Sequence, residues 1–196
     1  AGVISLRPPF ERVTCREAFE RHAGFDPIPL DAEAFAQAAR ACGVRPGPGA
    51  SWDDLFSQVL MERIEPALGI DRPTYLTEYP ASQAALARLK PGDETVAERF
   101  ELYAGGLELA NGFSELCDPG EQRARLQREQ EERRRLGREV FPLDEKFLAA
   151  LDAIGEAGGV ALGVDRLLML TTGAASIAEV LLFPAAEEYP AARSAR

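Results

Sequence analysis

The feature that most constrains this chain is Gly105-Gly106, a glycine pair between two segments rich in strand-forming residues. Adjacent glycines supply the positive φ angles that a two-residue hairpin turn needs. Residues 95–104 and 107–111 are therefore predicted to pair as antiparallel strands, with Tyr103 opposite Glu108. Side chains alternate along a strand, so Glu101 shares a face with Tyr103. Glu101 and Glu108 are then diagonal neighbours, about 7–8 Å apart at the backbone. Two carboxylates so placed can hold a hard divalent cation, and Mg2+ typically combines one or two carboxylates with nucleotide phosphates. An ordinary strand pair with both acids in solvent accounts for the same spacing.

Upstream of Arg72 the pattern is helical. Thr14 with Glu17 three residues on is a capping box for a helix over 14–22. Asp31 caps a second helix over 32–41 that stops at Gly43, and Ser51 caps a third running to about Glu65. In that third helix Trp52, Leu55, Phe56, Val59, Leu60 and Ile64 keep helical spacing. Residues 74–79 alternate and read as a strand, 82–88 as a short helix and 90–93 as a turn. Residues 121–138 interleave acids and arginines and read as a solvated, ion-paired helix rather than a nucleic-acid patch. A helix over 145–154 follows Asp144, and a strand over 158–163 leads into a helix starting near Asp165. Residues 1–12, broken by Pro8-Pro9, read as irregular.

Helices followed by strands and helices without regular alternation predict an α+β fold, an antiparallel β-sheet flanked by helices. Neither G-x-G-x-x-G nor G-x-x-x-x-G-K-[ST] is present, so any nucleotide is bound by another route. The 196 residues suffice for a single domain with a core, and the net charge of −10 argues against broad capture of nucleic acid. No apolar run approaches a membrane span, and the expected location is cytoplasmic. Cys15, Cys42 and Cys117 form no metal or disulfide pattern, and His22 is the lone histidine.

Two stretches carry the chemistry. Downstream of the hairpin turn, Asn111 can donate and accept hydrogen bonds. Glu115, close to the aromatic Phe113, can pair with an ammonium group. A turn at Asn111-Gly112 leading into a helix is the plainer alternative. In the second stretch, Gly158, Gly159 and Gly163 let a flat ring or another backbone approach closely. Arg166 falls in a first helical turn, where the helix dipole disfavours a cation. It calls for an anionic partner there, a phosphate or a neighbouring carboxylate such as Asp165.

These stretches, Arg99 to Tyr103, Gly106 to Leu116 and Gly159 to Arg166, resemble the C-terminal half of the catalytic domain of class II lysyl-tRNA synthetases. The stretch from Gly159 to Arg166 is similar to motif 3 of that family, and the resemblance runs from about Thr14 to Phe183. Within the family the pattern is nearest to the ligases that attach lysine to elongation factor P. Tyr79 to Leu86 matches them, Ala110 stands where synthetases have glycine before Asn-Gly-Phe, and Ala161 stands where synthetase motif 3 has glycine. A methyl group at Ala161 would favour β-lysine over lysine by about 1–3 kcal/mol at most.

The resemblance implies a partial class II aminoacyl-tRNA synthetase catalytic domain, with residues 1–70 a helical insertion and 72–183 the sheet with motif 3. It implies ATP and Mg2+ as cofactors, with Glu101 and Glu108 on the metal and Glu108, Leu109, Gly163 and Arg166 around the nucleotide. Arg166 is the expected catalytic residue, on the ATP phosphates or stacked on adenine. Asn111, Phe113, Glu115 and Ala161 would form the lysine pocket, with Glu115 on the side-chain ammonium. The acceptor would be elongation factor P, or a tRNA if the chain is a synthetase fragment, and a homodimer is possible in such a family. Motifs 1 and 2 belong upstream of what is present. Arg63-Ile64-Glu65 and His22-Ala23-Gly24-Phe25 match fragments of motif 2 only in spelling, because both lie in helical surroundings. A non-catalytic remnant of the family is therefore a further expectation beside the ligase.

Overall fold

The computed structural model describes residues 3–184. Six strands form one sheet in the order β1-β2-β4-β5-β6, with the two-residue β3 also paired to β4. The strands are β1 (Glu11–Thr14), β2 (Thr74–Pro80), β3 (Leu89–Lys90), β4 (Asp93–Ala104), β5 (Leu107–Ser114) and β6 (Gly158–Leu162). The helices are α1 (Cys15–His22), α2 (Ala32–Ala41), α3 (Trp52–Val59), α4 (Pro119–Arg135), α5 (Glu145–Leu151) and α6 (Val164–Thr172). The α+β class and the antiparallel pairing of β2, β4, β5 and β6 agree with the sequence expectation.

One pairing differs. β1 lies parallel to β2, Glu11 opposite Thr74, where an irregular segment was expected. Its partner is some sixty residues away, so no local turn signals it. The expected helix over 82–88 is only a 3-10 turn at Ala81–Gln83, after which Ala85 takes a left-handed φ of 51°. The third helix also changes form. Beyond Val59 it widens into a π-helical turn at Leu60–Ile64 and closes as a 3-10 turn at Glu65–Ala67, with Pro66 stopping it. The last helix is capped by Gly163, and Asp165 sits inside its first turn rather than at the cap. The charged segment does form a helix, α4, with Arg125, Arg128, Arg134 and Arg135 each paired to a nearby glutamate.

The main core lies between α1–α3 and the face of the sheet formed by β1, β2 and β4. Phe19, Phe35, Phe56, Leu76, Tyr79 and Tyr103 are fully buried there. Phe19 stacks on Phe56, and Phe56 on Trp52, with ring centroids 5.0 and 5.5 Å apart. Such pairs add about 0.5–1.5 kcal/mol each to their area burial. The hairpin tip is tied to this layer through its backbone: Gly105 N–H donates to Gly69 O at 2.7 Å and Gly106 N–H to Leu68 O at 3.0 Å. Toward β6 the cover ends. All five β6 residues are exposed, and β6 is the outermost strand among the described residues.

The start of α1 carries the predicted reciprocal cap. Thr14 Oγ1 accepts from Glu17 N–H at 3.1 Å, and Glu17 Oε2 accepts from Thr14 N–H at 2.8 Å. Thr14→Ala is expected to cost about 1 kcal/mol, a fall in Tm of about 2–4 °C by calorimetry. The Thr14 backbone bond holds the Glu17 carboxyl below its ordinary value. The cap's contribution is therefore present above the ordinary glutamate range and fades as pH drops through the lowered value. Thr14→Ala keeps the backbone donor, so only the smaller part that comes from the Thr14 hydroxyl bond to Glu17 is removed from this pH dependence.

Candidate active site

The hairpin sets the first part of the site. Tyr103 faces Glu108 across Gly105-Gly106, as the two-residue turn requires. Leu109 is then an extra residue on β5, because Leu102 faces Ala110. This bulge moves the register by one, so Glu101 faces Asn111. Cross-strand partners share a face, so Glu101, Tyr103, Glu108 and Asn111 line the same side of the sheet. Phe113 joins them opposite Arg99. β5 runs straight through Asn111-Gly112 to Ser114, so no turn interrupts it.

Glu101 is buried and fully engaged. Its Oε1 accepts from Arg99 Nη2 at 2.7 Å, and its Oε2 from the Tyr103 hydroxyl at 2.5 Å. The Tyr103 hydroxyl also lies 3.2 Å from Glu65 Oε1, so one phenol sits between two carboxylates. Burial, with the Glu101 carboxylate beside it, raises the Tyr103 phenol far above its ordinary value. Burial likewise raises the Glu65 carboxyl; the Tyr103 bond opposes this, and the charges of Glu101 and Glu108 add to it. Tyr79 is buried under the guanidinium of Arg99, whose central carbon stands 4.4 Å from the ring centre. Burial raises the Tyr79 phenol too.

The second part comes from β6 and α6. Asn111 pairs with Ala161 and Phe113 with Gly159, which puts Ala161 on the Asn111 side of the sheet. Gly159 leaves room for Glu115: a Cβ there would stand 2.7 Å from Glu115 Oε1. The Glu115 carboxylate is half-buried and has no hydrogen bond or ion pair among the described residues. Gly112 is packed as tightly, since a Cβ there would lie 2.7 Å from the Phe100 ring and 2.8 Å from Gly159 O. Gly163 N–H donates to Leu109 O at 2.8 Å, so the bulge residue receives the start of α6. Arg166 reaches back across that contact, and its Nη1 lies 2.9 Å from both Glu108 Oε2 and Glu108 O. The sequence left Arg166 open between a phosphate and a carboxylate; in the structure its partner is Glu108, not Asp165.

Glu101, Glu108, Leu109, Asn111, Phe113, Glu115, Ala161, Gly163 and Arg166 thus lie along three adjoining strands and one helix start. Two further residues enter the network that the sequence did not single out. Glu65 was set aside with a motif fragment in a helix; it is in a helical segment, but the π-helical turn before it delivers its carboxylate to Tyr103. Arg99 stands two positions before Glu101 on β4, with its guanidinium over the Tyr79 ring. Among the described residues no group of three or more His, Cys, Asp or Glu is arranged to hold a metal ion. The donor set fits a cation shared with phosphate oxygens, since Glu108 offers an accessible carboxylate and each bonded carboxylate oxygen keeps a second lone pair.

A family model described as tRNA synthetases class II (D, K and N) matches residues 1–187. The chain belongs to this family. Among curated class II relatives it is 42% identical over 177 residues to the elongation factor P–(R)-β-lysine ligase of Proteus mirabilis, covering 89% of this chain and 54% of that protein. It is 43% identical over 178 residues to the protein of the same name from Klebsiella pneumoniae strain 342, covering 89% and 55%. For the Haemophilus influenzae PittGG protein of that name the figures are 40% over 177 residues, 90% and 55%. The chain spans about half the length of the curated relatives it matches. Among the described residues no helix is long and apolar enough to cross a membrane.

Proposed function

We propose that this chain supplies one wall of a site that activates (R)-β-lysine with ATP and Mg2+ for transfer to elongation factor P. The observation that carries the reading is Glu115. A half-buried carboxylate without a cationic neighbour is costly unless a ligand brings the cation. Glu115 continues the strand line of Asn111 and Phe113 and lies against Gly159, which is one strand repeat from Ala161. That is the setting for a side-chain ammonium beside an apolar wall. Relatives bearing the ligase name at 40–43% identity support the same substrate.

The nucleotide end rests on Glu108 and Arg166. Opposite charges held 2.9 Å apart in a half-exposed site screen each other. A magnesium nucleotide offers both members a better partner, phosphate for Arg166 and metal for Glu108. Mg2+ would be held by Glu108 with Glu101 behind it, and would supply charge neutralisation at the phosphates. Leu109 and Gly163, joined by their backbone bond, would border the nucleotide. The substrate carboxylate would attack the α-phosphorus and pyrophosphate would leave; an acceptor lysine amine would then attack the acyl carbon, lose its proton and release AMP. The residues named position and neutralise, and none forms a covalent bond. The expected location is the cytoplasm.

Titration calorimetry on the 196-residue chain tests the lysine pocket. (R)-β-lysine should bind about 10- to 100-fold more tightly than norleucine, which lacks the side-chain ammonium. Lysine should fall between them. Equal binding of norleucine, or no binding of either lysine isomer, would overturn the reading.

A further inference from the structure

The geometry points to Arg99 as a positioning residue that fixes Asn111 as a hydrogen-bond donor toward the substrate carboxylate. The inference rests on the lysine-pocket reading and deepens it. Arg99 is largely buried, and each of its three guanidinium nitrogens is committed to a different segment. Nη1 donates to Gln83 O at 2.7 Å, Nη2 to Glu101 Oε1 at 2.7 Å, and Nε points to Asn111 Oδ1 at 3.4 Å. The plane of the group is held over the Tyr79 ring. A planar guanidinium clamped at its nitrogens and on one face cannot turn, so its N–H fork has one orientation.

This matters because an amide has two unlike ends. Asn111 faces a donor-only group, so the end toward Arg99 must be the oxygen; the reverse orientation would set N–H against N–H. The Asn111 NH2 is then the end left for a ligand, and it donates no hydrogen bond among the described residues. Asn111 is half-exposed and sits between Glu101 on β4 and Ala161 on β6. A lysine isomer at neutral pH carries two ammonium groups, which are donors, and one carboxylate, which is the sole acceptor. A donor in the pocket therefore selects the carboxylate end, while Glu115, two strand repeats along, takes an ammonium. The two residues give the pocket a direction, and Arg99 sets one half of it without touching substrate.

The test compares a carboxylate ligand with its decarboxylated counterpart: (R)-β-lysine against 1,4-diaminopentane, by calorimetry on the full chain. The wild-type chain should favour β-lysine by about 10- to 100-fold. Arg99→Lys keeps the charge beside Glu101 but loses the fork and the ring stacking, and this preference should fall toward unity while diamine binding holds. Asn111→Asp keeps the shape and the bond to Arg99 but presents an acceptor to the ligand. It should lose β-lysine binding by a similar factor and keep or strengthen diamine binding. Thermal melts establish that both variants fold. If Arg99→Lys weakens both ligands alike, the role is only structural and the inference falls while the Glu115 pocket stands. If the wild-type chain binds both ligands equally, the carboxylate is not read and the inference falls on that ground. A wild-type chain that binds neither ligand overturns both readings.

Discussion

Glu115→Gln is expected to weaken (R)-β-lysine binding on the order of 100-fold while leaving the fold intact. The substitution keeps size and hydrogen-bonding shape but removes the charge. Losing one member of a desolvated charge pair costs about 2–5 kcal/mol. The protein itself loses little, because no cation among the described residues depends on Glu115 and the Gly159 cradle accepts an amide as readily as a carboxylate. Norleucine affinity should barely change, so the discrimination between the two ligands should vanish in calorimetry. Unchanged β-lysine affinity would show that the ammonium lies elsewhere. Gly159→Ala should act through the same contact, since the new methyl group would occupy the place of a Glu115 oxygen.

The largest loss of stability is expected from Gly69→Ala, about 2–5 kcal/mol. Gly69 has a φ of 70°, which costs an L-residue about 1–2 kcal/mol. A Cβ there would meet Tyr103 O at 2.5 Å and Ala104 Cα at 2.6 Å, both backbone atoms of β4. Neither can rotate aside, and overpacking against backbone adds about 1–3 kcal/mol. The displaced strand also carries Glu101, and Gly69 O is the acceptor for the hairpin tip. A chemical melt should show a lower midpoint, and β-lysine binding should weaken with it. A melt unchanged within 1 kcal/mol would mean that the hairpin moves freely over residues 68–69.

Local features are legible in the sequence because their causes are local. Thr14 with Glu17, Asp31 and Ser51 mark helix starts by bonds that span three residues, and each cap is present. Gly105-Gly106 gave the Tyr103–Glu108 pairing for the same reason. The errors lie where the cause is distant. β1 exists because β2 offers it a parallel edge sixty residues on, and Pro8-Pro9 argued against any strand nearby. At the Leu109 bulge the extra residue's carbonyl accepts from Gly163 N–H at the start of α6, a partner distant in sequence. Glu65 and Arg99 carry no sequence signal because their roles come from Tyr103 and Tyr79, tyrosines that meet them only in three dimensions. The candidate residues themselves were legible through family resemblance, since spacing alone left Glu101, Glu108 and Arg166 open to plainer explanations.

The bare flank at β6 has a practical consequence. Among the described residues its outer amides and carbonyls have no strand partner, and with Val160 and Leu162 exposed they can template another strand. Handled by itself in concentrated solution, this polypeptide should therefore clump through that rim. A lysine placed at position 160 would be the natural remedy for anyone preparing it.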